Sequence, residues 1–174
     1  MSVLVYFLFG IITILVVMLI YGSFMPKQVS VEEKIIIHAS VETIFNQVSD
    51  FENFVTWSPW SEKDPAMKHF FSGEKQTIGS RYSWEGNRKV GKGYMEITAL
   101  IPNKKVEMDL NFGPQGVAKC GFIVEPNGDS TALTWYFNSD MGKNPLFRLM
   151  AKMMDKFIRT DFRKGLTNIA AQYI

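Results

Sequence analysis

The sequence predicts an α+β chain in which an N-terminal transmembrane helix precedes one domain built from two short helices, an antiparallel sheet and a long C-terminal helix. Three observations predict it. Residues 3–25 carry no side chain charged at neutral pH; from about Met67 to Asn138 apolar residues alternate between turn-forming breaks; and from Asn144 onward they recur at three- and four-residue intervals.

The first run, VLVYFLFGIITILVVMLIYGSFM, spans about 34 Å as a helix, enough to cross a hydrocarbon layer of about 30 Å. A buried core helix of this length would show a polar face, and before Ser23 only Thr13, Gly10 and Gly22 interrupt this one. A cleavable signal peptide is the rival. It needs a basic start, an apolar core of about 7–15 residues and a small-x-small cleavage site; this run lacks the first, exceeds the second and offers only Tyr21-Gly22-Ser23 for the third. The expected division is an anchor over residues 1–26 and a domain over residues 27–174, close to the commonest size for a single core. With no lysine or arginine before the run and Lys27 and Lys34 after it, the positive-inside rule points to a single-pass protein whose domain faces the cytoplasm.

Composition excludes several classes. Cys120 is the only cysteine, so no intramolecular disulfide can form. His38 and His69 are the only histidines and sit in no zinc-ligand spacing, so no metal or other cofactor is expected. No phosphate-cradling loop, dinucleotide fingerprint or nucleic-acid motif is present. The net charge of +2 is uneven: the window from Lys143 to Lys164 carries +5 and the remainder −3. That window is either a solvated helix face or, through Lys152, Lys156, Arg159 and Arg163, a contact for anionic lipid heads.

Val29 to Ala39 is rich in β-branched residues and reads as the first strand. Ser40 suits an N-cap, with Glu42 in the first turn and Val41, Ile44, Phe45 and Val48 at helical spacing. Asp50 can cap a second short helix carrying Phe51, Phe54 and Val55, which stops near Ser58 because Pro59 disfavours helical geometry in its predecessor. Six strands are then expected: residues 68–73, 80–84, 91–101, 105–112, 117–125 and 131–138. They are separated by breaks at 76–79, 85–89, 102–103, 113–116 and 126–129. Short breaks imply antiparallel neighbours.

Alternation assigns the faces. Val106, Met108, Leu110 and Phe112 lie on one side of their strand and Glu107, Asp109 and Asn111 on the other; Cys120, Phe122 and Val124, and Leu133, Trp135 and Phe137, form similar dry faces. Asn144-Pro145 is a cap followed by proline at the first helical position. The helix that follows carries one apolar stripe from Leu146 to Tyr173, with Gly165 as a point where it could bend.

Taken together, HASVETIFNQVSDFENFVTWSPW (38–60), VGKGYMEITALIPNKKVEMDL (90–110), STALTWYF (130–137) and NPLFRLMAKMMDKFIRTDFRKGL (144–166) resemble the START-like superfamily, also called SRPBCC or the polyketide cyclase/dehydrase family, in its membrane-anchored bacterial form. The resemblance covers residues 29–174. It implies the helix-grip fold, a curved antiparallel sheet around the long C-terminal helix, with a cavity between them that holds lipids, sterols, polyketides or other apolar molecules.

The same expectation follows from shape, since a strongly curved sheet cannot follow a straight helix along its whole length. The cavity wall would comprise Phe71, Tyr82, Trp84, Met95, Ile97, Met108, Leu110, Cys120, Phe122, Trp135 and Phe137 from the sheet. Met150, Met153, Met154 and Phe157 would line it from the last helix, methionine being adaptable to varied apolar shapes. Phe54, Trp57 and Trp60 would close its end, Trp57 and Trp60 at a half-wet mouth where an indole N–H finds a partner. The alternative is that these are ordinary core residues.

No catalytic residue is assigned. Glu85, Glu96, Glu107 and Asp109 read as turn or outward positions, and neither histidine has partner signals. Three functions remain open: a membrane-tethered module that binds or transfers an apolar small molecule such as a lipid, isoprenoid or polyketide; a cyclase or dehydratase using the same cavity; and an interaction module that presents its basic helix at the membrane surface.

Overall fold

The computed structural model describes residues 2–113 and 116–174. Pro114 and Gln115, the middle of the turn expected at 113–116, lie outside the described residues. The chain runs α1 (Ser2–Ser23), β1 (Gln28–Ile37), α2 (Val41–Ser49), α3 (Phe51–Trp57), α4 (Pro59–Lys63), β2 (Lys68–Ser72), β3 (Arg81–Glu85), β4 (Lys92–Ile101), β5 (Lys105–Asn111), β6 (Val117–Asn127), β7 (Ser130–Asp140) and α5 (Pro145–Ala170), closing with a 3-10 turn at Ala171–Tyr173. The expected strands and helices are all present, with ends displaced by a residue or two.

One helix is additional. Pro59 does not only end α3: Ser58 stays extended, its hydroxyl accepts from Trp60 N at 3.4 Å, and Pro59 takes the first position of α4. The restriction of the residue before proline and the suitability of proline at a helix start act on the same pair. Ser40, Asp50 and Asn144 cap α2, α3 and α5 by accepting from Thr43 N, Glu52 N and Leu146 N.

The seven strands form one antiparallel sheet in the order β1-β7-β6-β5-β4-β3-β2, so the first and last strands in the chain pair with each other. Between Ile97 and Ala99 the β4–β5 register slips by one residue, a bulge of the kind that bends a strand and helps the sheet curl. On the convex face Arg81, Glu96, Asp109 and Lys119 lie in register across four strands, and Arg81 pairs with Glu96 and Lys119 with Asp109. The concave face is apolar and is covered by α2, α3, α4 and α5.

Helix α1 meets this body at its C-terminal end, where Gly22 packs against Pro145. It is long and apolar enough to cross a membrane, and its most hydrophobic window is 0% buried. That exposure separates it from a buried core helix, while its length and composition fit either a membrane span or a signal sequence.

Candidate functional site

Strand register brings the expected sheet residues onto the concave face. Trp135 stands opposite Phe122 and Phe122 opposite Val106. Phe137, Cys120, Met108 and Ile97 form a second row, and Leu110, Met95, Tyr82 and Phe71 a third. Trp84 lies against Gly93 of β4, where an added Cβ would come within 2.8 Å of the indole. All but Phe71, which sits on the edge strand β2, are buried.

What faces this wall over the second half of α5 is not open space. Trp135 stacks on Phe162 with centroids 4.0 Å apart, and Trp57 and Trp60 meet Trp135 edge-on at 5.5 and 5.6 Å. Phe54 packs against Trp57 at 4.9 Å. These side chains, with Phe122, form a solid aromatic core. Gly165 is required by close approach rather than by a bend: a Cβ there would lie 2.8 Å from Trp135 and 3.0 Å from Pro59. The half-wet mouth expected at Trp57 is corrected as well, for this residue is 1% exposed. The start of α4 at Pro59 turns the chain inward and presses the last residue of α3 against the sheet. The Trp57 and Trp84 indole N–H groups are buried without a protein acceptor among the described residues.

The cover on α5 thins towards its start. Asp161 of α5 meets Lys63, Lys164 meets Glu62, and Asn168 donates to Trp57 O, so α4 covers α5 from residue 161 onward. One to three turns earlier on the same face stand Phe157, Met153 and Met150, which are 63, 52 and 51% exposed. Met154 beside them is partly buried and packs against the core. The helix stripe is therefore uniform in sequence but not in burial: α4 stops at Lys63, and Met150, Met153 and Phe157 stay half-exposed.

The charged groups near the site have identifiable partners. Arg159 and Arg163 reach back to Glu33 of β1 at 3.2 and 2.9 Å, and Arg159 also pairs with Asp155. Hydrogen bonds from Arg163 and then Arg159 hold the Glu33 carboxyl below the usual carboxylate range, against the opposing effect of burial. Two of the four basic residues expected at lipid heads are thus engaged in tying α5 to β1. Lys152 and Lys156 are exposed and make no ion pair among the described residues.

His69 bonds the Tyr82 hydroxyl at 2.9 Å, and His38 bonds Ser130. Burial, and then the charge of Asp109, push the Cys120 thiol up to about 12. Among the described residues no three His, Cys, Asp or Glu side chains group to hold a metal. Two small concavities lie outside the grip. One, of about 180 Å³, lies between the start of α3 and the β2–β3 turn; the other, of about 280 Å³, lies beside Phe70, Ser83 and Tyr94.

A curled sheet closed by a long C-terminal helix defines the START-like, helix-grip class. Residues 28–173 match the family described as polyketide cyclase / dehydrase and lipid transport, and the chain belongs to that family. No curated protein matches it. Among solved structures it is similar to the Aha1 dimer from Colwellia psychrerythraea, with 20% identity, a TM-score of 0.60 and coverage of 83% of this chain and 96% of that one. It is also similar to TTHA0849 from Thermus thermophilus, with 13% identity, a TM-score of 0.62 and the same coverage. At these identities the likeness concerns the fold alone.

Proposed function

We propose that the chain is a membrane-anchored module, single-pass through α1, that binds an apolar small molecule along the half-exposed first half of α5. The observation that carries this is the half-exposed apolar face of α5 at Met150, Met153 and Phe157, continuous with the concave core through Met154. Apolar surface of this kind, bordered by a filled core and left without an internal cover, is where a guest gains most by leaving water. Methionine lets the wall adapt to lipid, isoprenoid or polyketide-like shapes. The family's description, which includes lipid transport, supports the same class of ligand. Lys27 and Lys34 beyond α1 support a cytoplasmic position for the domain, which residues 27–174 would form.

The solid aromatic core favours a second reading, in which no guest enters and the domain acts only as an anchored body at the membrane surface, with Lys152 and Lys156 towards anionic lipid. Titration of a fluorescent fatty-acyl probe into delipidated full-length protein separates the two. Saturable uptake is expected, weakened about tenfold or more by Phe157→Asp. Uptake that never saturates, or that ignores the substitution, would favour the body without a guest.

A further inference from the structure

We propose that an apolar collar around the end of α1, formed by Phe24, Leu146, Phe147 and Met150, is seated in the headgroup layer of the bilayer, so that the half-exposed face of α5 is turned to lipid rather than water. This rests on α1 being a membrane anchor, and it adds where the binding face is held.

Two separate parts of the chain build the collar. Phe24 follows α1 directly and is 82% exposed, while Leu146, Phe147 and Met150 come from the first turns of α5 and are also exposed. They are brought together because Gly22 packs against Pro145, where a side chain on Gly22 would collide with the Pro145 carbonyl, and because Met141 N donates to Lys27 O at 2.7 Å. The apolar window of α1 ends at Ser23, so the first residue of α5 lies at the level where that helix would leave the hydrocarbon. Lys27 and Lys143, both exposed, border the collar from the same two segments. Aromatic and aliphatic side chains flanked by lysines match a surface of acyl chains beneath anionic heads.

The join is clamped. Arg148 is 7% exposed, and its guanidinium donates to Ser23 O at 3.3 Å and to Gly142 O at 3.0 Å. A helix end leaves carbonyls unpaired and carries the negative pole of the helix dipole, so a buried cation there holds α1 against the domain. A clamped domain keeps one face towards the membrane. From the junction β1 leads away for about 33 Å, which puts α2 at the far end.

The test uses full-length protein in vesicles of phosphatidylcholine and phosphatidylglycerol, with an NBD label at one introduced cysteine: Met150→Cys, Ile12→Cys or Glu42→Cys. Cys120 stays in place because it is buried. The expected result is loss of most emission at 150 and 12 on adding lipid-borne nitroxide, and at 42 only on adding aqueous iodide. A label at 150 that behaves like the one at 42, or that neither quencher reaches, overturns the proposal. If 12 is still quenched from the lipid in that case, the anchor stands and only the collar fails; if 12 also reads aqueous, the anchor fails with it.

Discussion

Trp135 has Phe162 stacked on one side and Phe54, Trp57, Trp60 and Phe122 around it. Trp135→Ala should cost about 3–5 kcal/mol, read as a lowered midpoint in urea. Glu33 gives a pH-dependent counterpart. Its folded pKa lies below the unfolded value, so its stabilisation is complete above about pH 4.3 and is lost as pH falls through the depressed folded value. Glu33→Gln should therefore lower the midpoint at neutral pH and converge with the parent protein in acid; a constant gap down to the acid limb would contradict the pairing. Cys120, its thiol raised to about 12, should resist a thiol reagent at pH 8 and react only on unfolding.

Helix α5 shows best what sequence discloses about an element and what it leaves out. The three- and four-residue spacing from Leu146 to Tyr173 identifies the helix and its apolar side, and Asn144-Pro145 marks its start. Spacing records which residues share a side but not what lies opposite them. Phe162 and Phe157 belong to one apolar stripe but lie about 140° apart around the helix: Phe162 stacks on Trp135 of the sheet, whereas Phe157 lies on the side that α4, ending at Lys63, covers only from Asp161 onward. The extra helix was hidden in Ser58-Pro59, where a stop and a start coincide. Gly165 likewise cannot disclose its role in sequence, since a bend and a close approach call for the same residue. Gly165→Ala should cost about 1–3 kcal/mol by forcing α5 away from Trp135 and Pro59, measured by thermal unfolding.

In the whole molecule, an apolar helix, an apolar collar and an open apolar face follow one another from α1 into the domain. Period-two alternation made the sheet and its dry face legible, and strand register then brought Phe137, Cys120, Met108 and Ile97 into one row as their parity required. The division of α5 into a covered and a half-exposed part was not legible, because it depends on the length of α4, nor was the filling of the core by aromatic side chains from five separate elements. Nor did Arg148 stand out. A single arginine in the run NPLFRLM reads as a surface charge until Ser23 and Gly142 are seen to enclose it.

Native mass spectrometry of the full-length protein released from detergent tests the central claim most directly. A grip that holds a guest predicts a population carrying the added mass of one small apolar molecule, removed by organic extraction and restored on reloading. Protein that emerges only at its bare mass before and after exposure to lipid extract would contradict it.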